Sequence, residues 1–200
     1  GSYTFTPVAD FHGSVDVPYT ICDNGTPVTC QTAILHIDVL PDINGAANNA
    51  PVAGDDFNYT NINTSVNGSF TNNDSDPDTN PVSLHGTTIV TGGPHTPIGA
   101  AIATLKGGTI QYYADGTYLY TPPAGYVGPD SAVYTICDVT AVAPQPLCTQ
   151  AFIHLLVGVN NTTDAINDEN STWQDVNVSG GVMANDFDAE NNSQTFGSFI

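Results

Sequence analysis

Apolar and polar residues alternate in short runs along this chain, and no stretch develops the 3.6-residue period of an amphipathic helix. Ala151, Ile153, Leu155 and Val157 stand two apart, which places them on the inner face of one strand. Comparable segments at 56–60, 64–70, 87–91, 100–105, 109–113, 117–121, 131–137 and 149–157 read as strands between Gly-, Pro-, Asn- and Asp-rich turns. The stretch YYADGTYLY (112–120) predicts a hairpin turning at Asp115-Gly116. Pro122, Pro123 and Pro129 punctuate the run into the next strand. This spacing predicts an all-β, Greek-key sandwich of seven or so antiparallel strands. The apolar run 151–157 is far too short to span a bilayer.

Self-similarity organises the chain. Residues 1–23 (GSYTFTPVADFHGSVDVPYTICD) and 116–138 (GTYLYTPPAGYVGPDSAVYTICD) are identical at 11 of 23 positions without a gap. CQTAILHIDV (30–39) then matches CTQAFIHLLV (148–157). Further along, AGDDF (53–57) matches AINDE (165–169), and NDSDPD (73–78) matches NDFDAE (185–190). The pattern divides the chain into the C-terminal half of one repeat (1–41), a complete repeat (49–158) and the N-terminal half of another (163–200). DINGAANNAP (42–51) and GVNNTTD (158–164) are the junctions. A section of a longer tandem array is the expectation. A unit completed from the two halves would lack the stretch equivalent to 89–115.

Charge narrows the choice of partners. Twenty acidic residues face one lysine, Lys106, and no arginine, for a formal net charge of -19. Such a surface repels phosphates, which excludes nucleic acid and polybasic attachment to membranes. It also leaves clustered carboxylates without arginine or lysine partners, so a divalent cation is the expected counter-charge. Four cysteines fall as Cys22 with Cys30 and Cys137 with Cys148, at matching places in two repeats. Zinc would call for tighter C-x-x-C pairs brought together. Two local disulfides fit better and imply an oxidising, extracytoplasmic setting.

The sharpest local signal is NDSDPDTN (73–80). Asp74, Asp76 and Asp78 alternate after Asn73, as oxygen ligands do in the first half of an EF-hand loop. The glycine and distant glutamate of a true EF-hand are missing. Asn185, Asp186, Asp188, Glu190 and Asn192 repeat the pattern. Asp55 and Asp56 at the start of the first strand, Asp168 as the repeat equivalent of Asp56, Asp138 after YTICD, and the linker residues Asn48 and Asn49 are expected at the same end. Calcium at that end, stiffening the joint between repeats, is the reading these residues support.

NAPVAGDD (49–56), NDSDPD and GTYLYTPPAGYVGPDSAVYTICD together resemble the bacterial cadherin-like and Ig-like tandem repeats of giant cell-surface adhesins, including those of gliding bacteria. That resemblance implies a seven-stranded sandwich, calcium at junctions, and a role in cell adhesion or in a cell-surface filament. The expected partners are neighbouring repeats, lateral copies in a filament, and a glycan or protein target. Ser14-Val15-Asp16, standing where the other repeat has Pro129-Asp130-Ser131, departs from the pattern.

Enzymatic constellations are weak. His36 and His154 are repeat equivalents on the outward phase of a strand, and no G-x-S-x-G, H-E-x-x-H or phosphate loop occurs. The alternative reading is a carbohydrate-binding module of a secreted enzyme, using Tyr112, Tyr113, Tyr118, Tyr120 and Tyr126 as a surface. Numerous Asn-x-Ser/Thr sequons, and Asp130-Ser131-Ala132, are candidate glycosylation signals.

Overall fold

The computed structural model describes residues 1–40, 48–139, 146–158, 163–188 and 193–200, and no helix occurs among them. In chain order, β1 (Ser2–Phe5), β2 (Gly13–Cys22) and β3 (Cys30–Leu40) come first. Nine strands follow: β4 (Asp56–Thr60), β5 (Val66–Ser69), β6 (Val82–Leu84), β7 (Thr87–Thr88), β8 (Pro97–Ala103), β9 (Thr109–Tyr113), β10 (Thr117–Thr121), β11 (Gly128–Asp138) and β12 (Cys148–Val157). The last are β13 (Thr163–Asp164), β14 (Asp168–Trp173), β15 (Val178–Gly181), β16 (Phe187–Asp188) and β17 (Thr195–Phe199). They form two compact units, Ala47–Val159 and a second one built from Gly1–Ala46 with Asn160–Ile200.

The central unit is a sandwich of one sheet ordered β5-β10-β9-β8 and one ordered β4-β12-β11-β6-β7. Alternation decides which residues fill it. On β12, Ala151, Ile153, Leu155 and Val157 are buried, and on β11 Ala132, Tyr134 and Ile136 point the same way. Phe70, Tyr112, Tyr118 and Tyr120 complete the core, with Phe70 edge-on to Tyr112 at 5.2 Å and to Tyr134 at 5.4 Å. Each such side chain contributes about 1.5–3 kcal/mol by leaving water.

Three details differ from the sequence expectation. β4 runs parallel to β12, because the first strand crosses to the edge of the last strand's sheet. β6, only three residues long after Pro81, is too short to show an alternation. β8 begins at Pro97 and its register shifts between Ile98 and Ile102, where Gly99 takes a φ of 63° that suits an irregular strand. The 112–120 hairpin forms where expected, with Tyr118 opposite Tyr112 and Gly116 at φ 85°.

In the second unit the two flanking half-repeats pair with each other. β14 runs parallel to β3, β17 antiparallel to β2, and β1 antiparallel to β15. Asp168 opposite Leu35 repeats the central pairing of Asp56 with Ile153, so the two segments meet in the register that one repeat uses internally. Tyr19, Ile21, Leu35, Ile37, Val39, Ala165 and Val182 form its core. Disulfides join Cys22 to Cys30 and Cys137 to Cys148, in each case residues facing each other across an antiparallel pair.

Candidate functional site

The carboxylates predicted to converge separate into two tiers within the central unit. The inner tier lies under the start of β4. Asp56, the first residue of that strand, is 8% exposed, and its Oδ2 meets no hydrogen-bond donor. Asp74 lies beside it, accepting from Gly54 N at 3.0 Å and from the Tyr134 hydroxyl at 3.0 Å. The same hydroxyl reaches the Gly54 carbonyl at 2.9 Å. Asn73 donates to the Asp55 carbonyl at 2.8 Å, which leaves its own buried Oδ1 without a donor.

Burial, and then the neighbouring Asp74 charge, push the Asp56 carboxyl up to about 8. Burial pushes Asp74 to about 7, against the opposing hydrogen bonds from Tyr134 and Gly54. The Tyr134 phenol is raised by burial and by both carboxylates. Two acids here cannot both be charged cheaply unless a proton or a cation joins them.

The second unit repeats this tier group by group. Tyr19 donates to the Ile166 carbonyl at 2.8 Å and to Asp186 at 3.3 Å. Ile166 N donates to Asp186, and Asn185 to the Asn167 carbonyl. Asp168 Oδ2, Asn185 Oδ1 and Asp186 Oδ2 are buried without donors. Burial raises Asp168 to about 6 and Asp186 to about 7.

The outer tier sits on the 76–80 loop. Asp76 Oδ1 accepts from Asp78 N and Asn80 N, while its buried Oδ2 meets no donor. Asp78 accepts from Asn49 N at 2.5 Å and from the Asn49 amide at 3.1 Å. The Asn48 amide donates to Asp138, and Asn80 donates to Asn48 Oδ1 at 3.2 Å. Asp76 is raised by burial first, against the hydrogen bonds from Asn80 N and Asp78 N, with the Asp78 and Asp138 charges adding less. In the second unit, Asp188 accepts from Thr163, and Glu190 lies outside the described residues.

Among the described residues no group of three or more His, Cys, Asp and Glu side chains is arranged to hold a metal ion. Asn amide hydrogens are interleaved between the outer carboxylates instead. The donor set is nonetheless all oxygen, and Asp76 Oδ2 is a buried oxygen without a donor; both suit a hard cation.

Asp55 belongs to neither tier. It accepts from Phe152 N at 2.8 Å and meets His154 Nε2 at 3.2 Å. His36 likewise meets Asp16 at 2.6 Å, and His95 meets Asp115 at 2.8 Å. Histidines therefore meet carboxylates here, and His36 and His154, 30% and 40% exposed, sit at the surface as the outward strand phase predicts. Asp130, singled out as part of a glycosylation signal, is 3% exposed and accepts from Thr104, Lys106 N and Tyr120. Comparing the repeats exposes that role, because the positions of Tyr120 and Asp130 become Phe5 and Val15 together. Tyr112, Tyr118 and Tyr120 are buried, which removes most of the tyrosine surface a carbohydrate-binding module would need.

This two-sheet topology, with its first strand parallel to the last, sets the central unit among Ig-like sandwiches. Residues 48–145 match the family described as Bacterial Ig domain. The match spans the Ig-like unit from Asn48 through the outer tier and the β11 strand that carries Tyr134. No curated protein matches the chain. A solved structure described as "Protocadherin gammaB7 EC3-6 cis-dimer structure" is similar at 15% identity and a TM-score of 0.32. That likeness covers 76% of this chain and 34% of the other, so the chain spans about a third of that structure's length. No helix among the described residues is long and apolar enough to cross a membrane.

Proposed function

We propose that these Ig-like units are repeats of an extracellular stalk with a structural or adhesive role, and that calcium stiffens the end of the central unit. The internal repeats, the two disulfides and the bacterial Ig match support the stalk. The outer tier carries the calcium reading: Asn48, Asn49 and Asn80 link Asp76, Asp78 and Asp138 into one hydrogen-bonded cluster, in a chain with one lysine and no arginine, and Asp76 Oδ2 meets no donor. Asn48 and Asn49 are tied to the same tier through their amides, which donate to Asp138 and Asp78. A bound ion would clamp the residues leading into the unit onto the 76–80 loop, restricting bending there.

Melting the chain in calcium and in a chelator at equal ionic strength tests this. At a free concentration a hundred times Kd, calcium should stabilise the central unit by about 2.7 kcal/mol. The Asp76→Asn, Asp78→Asn double variant should lose that gain. Equal melting curves in calcium and chelator would remove the ion and leave the stalk.

A further inference from the structure

The outward face of β4, β12 and β11 is apolar in the central unit, and its equivalent in the second unit is acidic. In the central unit Val133 stands opposite Phe152, and His154 opposite Phe57. The rings of Phe152 and His154 stack with centroids 5.9 Å apart. Phe152 and Val133 are 46% and 42% exposed, and Phe57 and Tyr59 are half-buried beside them. Leu105, 74% exposed, lies along the other side of β11, where its N–H donates to the Ser131 carbonyl at 2.9 Å. The register thus joins these side chains into one patch three strands wide. The repeat equivalents of Phe57, Ser131 and Leu156 are Glu169, Asp16 and Asp38. There His36 meets Asp16 at 2.6 Å and Glu169 at 3.9 Å. The same three positions carry three carboxylates in one unit and none in the other.

Charge selects the occupant of this patch. Copies of a chain with net charge -19 repel one another, so they approach most easily where carboxylates are missing. Residues 79–114, which include Leu105, contain no Asp or Glu. Lys106, the one lysine, follows Leu105 at the β11 rim of the patch, and Asp55 stands at the β4 rim, 3.2 Å from His154. A two-fold axis along the strands sets opposite rims against each other, bringing each Lys106 to the Asp55 rim of the other copy. Phe, Val and Leu side chains offer a sugar no hydrogen bonds, which favours a second apolar protein face over a glycan.

We propose that this patch is a self-association surface, through which the central units of two copies of the chain pack face to face about a two-fold axis. Burial of Phe152, Val133 and Leu105 supplies the attraction, and the rim charges fix the orientation. Like-charge repulsion excludes the equivalent face of the second unit, with its three carboxylates, from the same contact. A single patch of this width makes a weak contact, which repeats in tandem would multiply.

Sedimentation equilibrium of the full chain, with chelator present and salt to screen the net charge, tests this up to millimolar concentrations. The apparent mass should rise with concentration toward that of a dimer. Amide NMR signals should shift over the same range at residues 57–59, 105–106, 131–133 and 152–156. The Phe57→Glu, Ser131→Asp variant recreates the arrangement with which the second unit already folds. Its melting curve should stay close to that of the parent, while association weakens at least about tenfold. Lys106→Glu, a change at an exposed side chain, should weaken association as well. A mass independent of concentration would overturn the proposal. So would shifts confined to other residues, such as 2–5, or association unchanged in both variants. Shifts at the patch caused by a neutral glucan oligosaccharide, and not by raising the protein concentration, would also overturn it and assign the patch to a glycan.

Discussion

Asp56 and Asp74 are ionisable groups placed where ionisation is expensive, and Tyr134 is the donor that makes the arrangement tolerable. Removing its hydroxyl with Tyr134→Phe strips away the one O–H that lies between the buried Gly54 carbonyl and Asp74. The expected loss is about 1–3 kcal/mol by denaturant unfolding. Tyr19→Phe should cost the second unit a similar amount, because Tyr19 makes the equivalent bonds. Protonation sets a pH dependence as well. Asp56 is raised to about 8 and Asp74 to about 7, against an unfolded value near 4. The folded state therefore favours the neutral acids. Their contribution is fully present below about pH 4 and is lost as pH rises toward 8. In chelator, the denaturation midpoint of the central unit should fall between pH 5 and pH 8. Asp56→Asn should flatten that slope. A midpoint independent of pH would show that neither acid is held neutral.

These groups also mark the limit of what the sequence discloses. The alternation of Asp74, Asp76 and Asp78 was visible, and so was its recurrence at Asp186 and Asp188. A single tier was the natural expectation. The structure divides it because the Tyr134 hydroxyl, sixty residues away in sequence, draws Asp74 inward, while Asn80 and Asn49 hold Asp76 and Asp78 in the loop. Long-range donors of this kind leave no local signal.

At the scale of elements, the strands with clear alternation were legible. β4, β9 and β10 begin and end at the expected residues, β12 begins one residue early, and β11 extends the expected range at both ends. β6 and the start of β8 were not, because three residues cannot show a period and Gly99 breaks one. The disulfides were readable because each spans a short loop, 8 and 11 residues in sequence, between strands that must be neighbours. Each closes its loop at the connected end of a long antiparallel pair. Replacing Cys137 and Cys148 together with alanine should destabilise the central unit by about 2–3 kcal/mol. The comparison to make is between melting under reducing and non-reducing conditions, where the central unit of the variant should show no further loss on reduction, since the remaining Cys22–Cys30 bridge lies in the other unit.

For the molecule as a whole, self-similarity was the most informative feature of the sequence, and it extends to individual hydrogen bonds. Asn58 donates to Tyr118 as Asn170 donates to Tyr3, and Asp55 caps Phe152 N as Asn167 caps Ile34 N. What the repeats could not disclose is which carboxylates share a neighbourhood, because that depends on loops meeting from distant parts of the chain. A net charge of -19 also acts on the molecule as a whole. Monovalent salt should raise both melting transitions by screening self-repulsion, with no dependence on Asp76 or Asp78.

Calcium acting through the outer tier should differ from such screening in being saturable and confined to those residues. Isothermal titration of the intact chain with calcium in 0.15 M monovalent salt separates the two directly. The expected result is a saturable heat with Kd of order 10⁻⁴–10⁻³ M, abolished in the Asp76→Asn, Asp78→Asn double variant. A titration without heat, or one unchanged in that variant, would contradict calcium at the outer tier.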